Sequence, residues 1–382
     1  MRKEDVKLAL QFIFSITKQE DCSLALNKMG ADFEWENIYN LFKAHDLTHL
    51  FAYLLQQHKK LDENAEFGKK LVQDMATALY RYSNLEFEKE RVKTCLNKHQ
   101  IPFILLKGVV MRKFYKEPWL RTSSDVDVLV KEEDFLKALT AVEKSLNCTI
   151  EDKAPYDVSM HSKGGVRIEI HSLIEGDIEK ALQSCVWQTA QNGDGNEFLM
   201  SNEFFYFYHL AHMARHFKDG GCGIRPFIDL LILTNSLEFD REKVDKLLLK
   251  CGLKTFETCA LKLASAWQNG NEVNELSKME EYVLYGGSYG TLKQFIAVRQ
   301  QNLSKAKYLK NRIFMPYSEL KKRYVILEKH KCLTPFYEVV RWIELLKPTR
   351  AKRSYDELKK LKEIERDKGL QVETLLKNLG LK

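Results

Sequence analysis

Apolar residues recur at three- and four-residue spacing through the first hundred positions, which predicts helices around 3–17, 35–57 and 64–98. In the third of these, Leu71, Met75, Leu79 and Tyr82 follow the helical period. The pattern changes at Ile101, where short β-branched and apolar runs begin to alternate with single helices. Residues 101–106 read as a buried strand with Pro102 at its start. Lys107 and Gly108 make a turn, 109–115 a short helix, and Pro118 ends it. Asp125–Val130 (DVDVLV) reads as the next strand. Residues 132–146 form an amphipathic helix with Phe135, Leu139, Val142 and Leu146 on one face and acids in its first turn. Residues 156–161 and 166–171 pair as a hairpin about 162–165, and after Glu175 the pattern returns to helix. The expected class is α+β. A small mixed sheet core at 99–200 is embedded between an N-terminal helical region, 1–98, and a C-terminal one, 201–382.

Composition changes this picture little. The 382 residues are 45% hydrophobic and 30% charged, ordinary for a globular chain with a sizeable core. Eight scattered cysteines with no C-x-x-C pair argue against a zinc ribbon and a disulfide framework, and fit a reducing cytosol. The first apolar run is short and interrupted by Gln11, so it reads as an amphipathic helix rather than a signal. No stretch approaches the roughly 20 apolar residues that span a bilayer. The expected location is cytoplasmic. Net charge is +7, but residues 301–382 carry 21 Lys/Arg against 10 Asp/Glu. That basic tail could attract a polyanion. A solvated helical surface is the preferred account, so nucleic acid is a possible but not a favoured partner.

The chemistry sits on the strands. Alternation puts Asp125 and Asp127 on one face of their strand and Val126 and Val128 on the other. Two carboxylates side by side repel unless a cation lies between them, and an oxygen-seeking ion such as Mg²⁺ relieves that. Arg167, Glu169 and His171 share a face of the later strand. If the two strands are neighbours, Glu169 completes a three-carboxylate cluster suited to two-metal phosphoryl transfer. A lone D-x-D is otherwise ordinary turn chemistry.

The run LLKG, then Tyr115, Arg121, SSDVDVLV and IEIH, resembles the uncharacterised nucleotidyltransferase family of the polymerase-β superfamily. HLAHMARHF, GIRPFIDL, YGGSYGT, RIFMPYSELKKRY and LTPF resemble its C-terminal half, so the likeness covers most of the chain. The resemblance implies a polymerase-β-like core that moves an NMP group from an NTP to an acceptor and releases pyrophosphate. It implies two Mg²⁺ ions on Asp125, Asp127 and Glu169. Two departures stand out. Gly108 is followed by Val109 where the superfamily has Gly-Ser or Gly-Gly, which leaves Ser123 and Ser124 to supply a hydroxyl. The third carboxylate is Glu where Asp is commoner.

Around that cluster, Gly108 lets a triphosphate approach the backbone. Lys107 and Arg121 are the candidates to neutralise its phosphates. His171 could orient a metal-bound carboxylate or the acceptor. His209, His212 and His216 form a stripe on one helix face. Zinc is disfavoured there, and contact with nucleotide or acceptor, alongside Arg225 and Asp229, is the better functional account. Gly286–Gly290 is expected to be a helix-breaking turn rather than a phosphate loop. The acceptor is open: a small molecule, a sugar, a peptide or protein side chain, or RNA. The alternatives to the transferase are a nucleotide-binding or regulatory protein without turnover and an RNA-modifying enzyme.

Overall fold

The computed structural model describes residues 1–18, 23–30, 32–174, 182–288, 290, 294–296, 298, 305–324, 326–345 and 366–381. Helices α1 (Lys3–Phe14), α2 (Ser23–Asn27), α3 (Trp35–Ala44), α4 (Thr48–Gln57) and α5 (Glu66–Lys98) lead into the sheet. The middle of the chain runs β1 (Phe103–Leu105), α6 (Gly108–Met111), β2 (Asp125–Val130), α7 (Phe135–Leu146), β3 (Thr149–Lys153), β4 (Asp157–His161) and β5 (Arg167–His171). Then come α8 (Gln183–Thr189), β6 (Gln191–Asn192), β7 (Glu197–Leu199), α9 (Asn202–Asp219), α10 (Arg225–Ser236), α11 (Arg241–Lys250), α12 (Lys254–Asn269) and α13 (Ser277–Leu284). Further helical segments follow, the last being Arg366–Asn378. Among the described residues no helix is long and apolar enough to cross a membrane. Positions 346–365 of the basic tail, and Tyr289 of the expected glycine turn, lie outside the described residues.

The seven strands form one mixed sheet in the order β3-β4-β5-β2-β1-β7-β6. β2 pairs in parallel with β5 and antiparallel with β1, while β4 and β5 make the expected hairpin. Val126, Val128 and Val130 join Ile168 and Ile170 in an apolar layer that α5 and α7 cover through Leu85, Val92, Leu96, Ala138 and Val142. That burial fixes which way the strands face, so their polar residues emerge on the opposite side.

Three expectations needed correction. The helix expected over 35–57 is two, because Asp46 adopts a left-handed conformation (φ 54°) between α3 and α4. Leu79 is exposed; the buried line along α5 is Leu71, Ala78, Leu85 and Val92, at seven-residue intervals. A helix of that length touches two successive cores, the helical one through Leu71 and the sheet through Leu85 and Val92. Finally, β3, β6 and β7 were not expected as strands. β3 is a charged, largely exposed edge, and β6 is two polar residues, so neither carries an apolar period.

Candidate active site

The carboxylates are assembled by strand register. Asp127 lies directly opposite Glu169 on the neighbouring parallel strand, Asp125 opposite Arg167, and Leu129 opposite His171. Asp127, Glu169 and His171 are all nearly inaccessible, at 1%, 8% and 1% exposure. His171 Nε2 is 3.0 Å from Asp127 Oδ1 and 3.4 Å from Glu169 Oε2. Arg167 Nη1 sits 2.7 Å from the other Glu169 oxygen. Asp125 faces the adjoining cavity from the same strand.

Lys107 closes the cluster from the turn after β1. Its backbone is at φ 51°, ψ −124°, a conformation that a side chain strains against. Two sets of contacts hold it there. Its carbonyl accepts the amides of Val110 and Met111, and its Nζ reaches Asp127 Oδ1 at 3.0 Å. Just before the turn, the Leu106 amide donates to the Asp127 carbonyl. Gly108 is required at the next position: a Cβ there would lie 2.7 Å from Ser123 Cβ.

Ionisation follows from these contacts. Burial alone would raise Asp127, but Lys107 and His171 outweigh it and hold the carboxyl far below its usual range. Burial, then the Asp127 charge, pushes Asp125 up to about 6. Lys107 is raised, the Asp127 charge outweighing burial. His171 is raised as well, because its bonds to Asp127 and Glu169 exceed the cost of burial.

The strand face and the helices together enclose a cavity of about 330 Å³. Lys107, Gly108, Arg121, Ser123, Asp125, Arg167 and Glu169 line one side of it. α9 contributes Tyr208, His209, His212, Arg215 and His216 at helical spacing, and Arg225 and Asp229 come from α10. Ser124 is exposed and does not line the cavity.

Several expected phosphate and acceptor contacts are already engaged by protein. Arg121 Nε lies 2.9 Å from each Asp229 oxygen and Nη2 2.8 Å from one, while Tyr115 OH donates to Asp229 Oδ1 at 2.7 Å. Arg225 Nη1 donates to Asp46 Oδ2 (3.0 Å) and Thr122 Oγ1 (2.9 Å). His209 Nε2 donates to the Pro226 carbonyl at 2.9 Å. His212 and His216 place their Nε2 atoms 3.0 Å apart, one donating and one accepting. Burial lowers both, His216 to about 4, so the pair is neutral. Gly287, at φ 63°, turns the chain after α13, and the Ser288 amide caps α3 at the Ala44 carbonyl.

Arg112 was not singled out from the sequence, yet it anchors the loop that precedes Asp125. It is 2% exposed, with Nε on the Arg121 carbonyl (3.1 Å), Nη1 on Glu86 (3.1 Å) and Nη2 on Ser123 Oγ (3.0 Å). Nothing in the local sequence distinguishes it from a surface arginine. Its partners lie on α5 and on the loop before β2.

Among the described residues, Asp127, Glu169 and His171 are the one group of three or more such side chains whose ligand atoms all lie within 4.8 Å of one another. Two oxygens and a nitrogen at that spacing fit a divalent cation. No curated protein matches the chain. Among solved structures, the antibiotic-resistance factor ANT(2'')-Ia aligns at 11% identity and a TM-score of 0.26, over 50% of this chain and 93% of that one, a superposition too loose to define a fold. The profile of a family described as uncharacterised nucleotidyltransferases matches residues 31–269. The chain therefore belongs to that nucleotidyltransferase family.

Proposed function

We propose that the protein is a Mg²⁺-dependent nucleotidyltransferase on a polymerase-β-like core, moving an NMP group from an NTP to an acceptor with release of pyrophosphate. The observation that carries this is the register placing Asp127 beside Glu169, with Asp125 on the same strand facing the cavity and Lys107 and Gly108 at its rim. The catalytic unit is 99–200, and 201–382 shapes the acceptor half of the cavity. Asp125, Asp127 and Glu169 would hold two Mg²⁺ ions. Bound there, the ions would make the attacking hydroxyl more acidic and neutralise the departing pyrophosphate.

The remaining work falls to side chains. Gly108 permits close approach of the triphosphate, and Lys107 with Ser123 binds its oxygens. Arg121 lines the same wall, and its ion pair with Asp229 orients the guanidinium along it. His212, neutral and half-buried, together with Arg225, forms the acceptor side. His171 holds Asp127 in place.

The test is Asp127→Asn in a reaction with labelled NTPs, Mg²⁺ and fractionated lysate. Wild-type protein should place label on an acceptor, and the variant should lose at least about a hundredfold in rate while keeping its circular-dichroism spectrum. Full turnover in the variant refutes the proposal.

A further inference from the structure

His171 differs in chemistry from the rest of the cluster. It follows Glu169 by two residues on β5, so both side chains emerge on the carboxylate face of the sheet. The ring is 1% exposed, and its Nε2 is the nitrogen that meets the cluster. The other nitrogen, Nδ1, is buried without a hydrogen-bond partner, so no hydrogen bond there pulls the ring away from the carboxylates.

The spacing that serves these hydrogen bonds also suits ligands of one ion. Adjacent ligands on an octahedron with bonds of about 2.1 Å lie about 3.0 Å apart. His171 Nε2 and Asp127 Oδ1 are at 3.0 Å, and His171 Nε2 and Glu169 Oε2 at 3.4 Å. The same Asp127 oxygen also meets the Lys107 ammonium at 3.0 Å, so an ion seated there takes the place of that ammonium as its counter-charge. Carboxylate and water ligands suit Mg²⁺, whereas an imidazole nitrogen favours first-row transition ions.

We propose that Asp127, Glu169 and His171 form a mixed oxygen–nitrogen site that takes a divalent transition-metal ion in preference to Mg²⁺, with His171 Nε2 as a direct ligand. This rests on the reading that the carboxylates hold a divalent ion, and it reassigns the ion nearest Glu169. His171 then sets the metal preference of the enzyme as well as the posture of Asp127.

Mn²⁺ titrated into the full chain and followed by electron paramagnetic resonance tests this without any turnover. One ion should bind, Mg²⁺ should displace it only at tenfold or greater excess, and pulsed spectra of the bound ion should show coupling to a ¹⁴N nucleus. His171→Gln should lose that coupling and narrow the Mn²⁺-over-Mg²⁺ preference about tenfold. Bound Mn²⁺ without nitrogen coupling in the unsubstituted protein overturns the inference and leaves the carboxylate site standing. So does a preference unchanged in a folded His171→Gln. If no Mn²⁺ binds, both the inference and the metal reading of the active site fall.

Discussion

Asp229→Asn is the sharpest test of how the cavity is held together. Asp229 is fully buried, and its two oxygens receive Arg121 Nε, Arg121 Nη2 and Tyr115 OH at 2.7–2.9 Å. Asparagine keeps the volume, so no void opens. It removes the charge, and its amide group must face a donor whichever way it turns, because donors reach both oxygens. Arg121, with 12% of its side chain exposed, then loses the carboxylate that meets its Nε and Nη2. Breaking a buried pair from one side costs about 3–5 kcal/mol. That loss should appear as a lowered urea midpoint at neutral pH, read by circular dichroism.

The pH dependence gives a second signature. Burial would raise the Asp229 carboxyl, but Arg121 outweighs it and holds the group below its ordinary 3.8. The native state therefore binds this proton less readily than the unfolded chain does. Its contribution is fully present above about pH 4 and is lost as pH falls through the lowered native value. The Asn variant should lack that part of the acid limb. A loss under about 1 kcal/mol at neutral pH would refute the structural role.

Three further expectations follow from geometry. Lys107→Gly and Lys107→Ala should both weaken nucleotide binding, but the glycine variant should be more stable than the alanine one by about 1 kcal/mol or more, since φ 51° favours glycine; equal melting temperatures would show that the turn relaxes. Arg112→Met should slow nucleotidyl transfer by roughly 10–100-fold with the fold retained, because the 121–123 loop loses its anchor, and Arg112→Lys should not rescue it, as one ammonium cannot span three acceptors; rescue by lysine would count against the geometry. Burial lowers His45 from 6.5 to about 4 while its Nδ1 accepts the Ile224 amide and its Nε2 donates to the Leu284 carbonyl. The unfolded chain binds that proton first, so stability should fall by about 3 kcal/mol as pH drops from 6.5 to 4, and urea midpoints of His45→Gln should fall less over the same range.

Much of the site was legible because strand phase is a two-residue rule. Val126 and Val128 had to face the core, which obliged Asp125 and Asp127 to face away from it, and Ile168 and Ile170 did the same for Glu169. The adjacency of β2 and β5 was a condition rather than a result of that reasoning, since pairing is set by the whole sheet. The polar edge strands escaped notice because charge and shortness erase the period. The engagement of Arg121 by Asp229 and of Arg225 by Asp46 was also illegible. Asp229 sits on α10 and Asp46 in the turn between α3 and α4, each far along the chain from its arginine, and no spacing rule connects them.

The parallel pairing of β2 with β5 ties the cluster to one non-local contact, since Asp127 and Glu169 meet only when those strands dock. A parallel pair needs a crossover, here the α7–β3–β4 segment, and non-local closure of that kind slows folding. A slip of one residue in that docking would turn Glu169 into the apolar layer and set Ile168 or Ile170 beside Asp127. The valine and isoleucine layer penalises such a slip heavily, so the greasy side of the sheet proofreads the charged one.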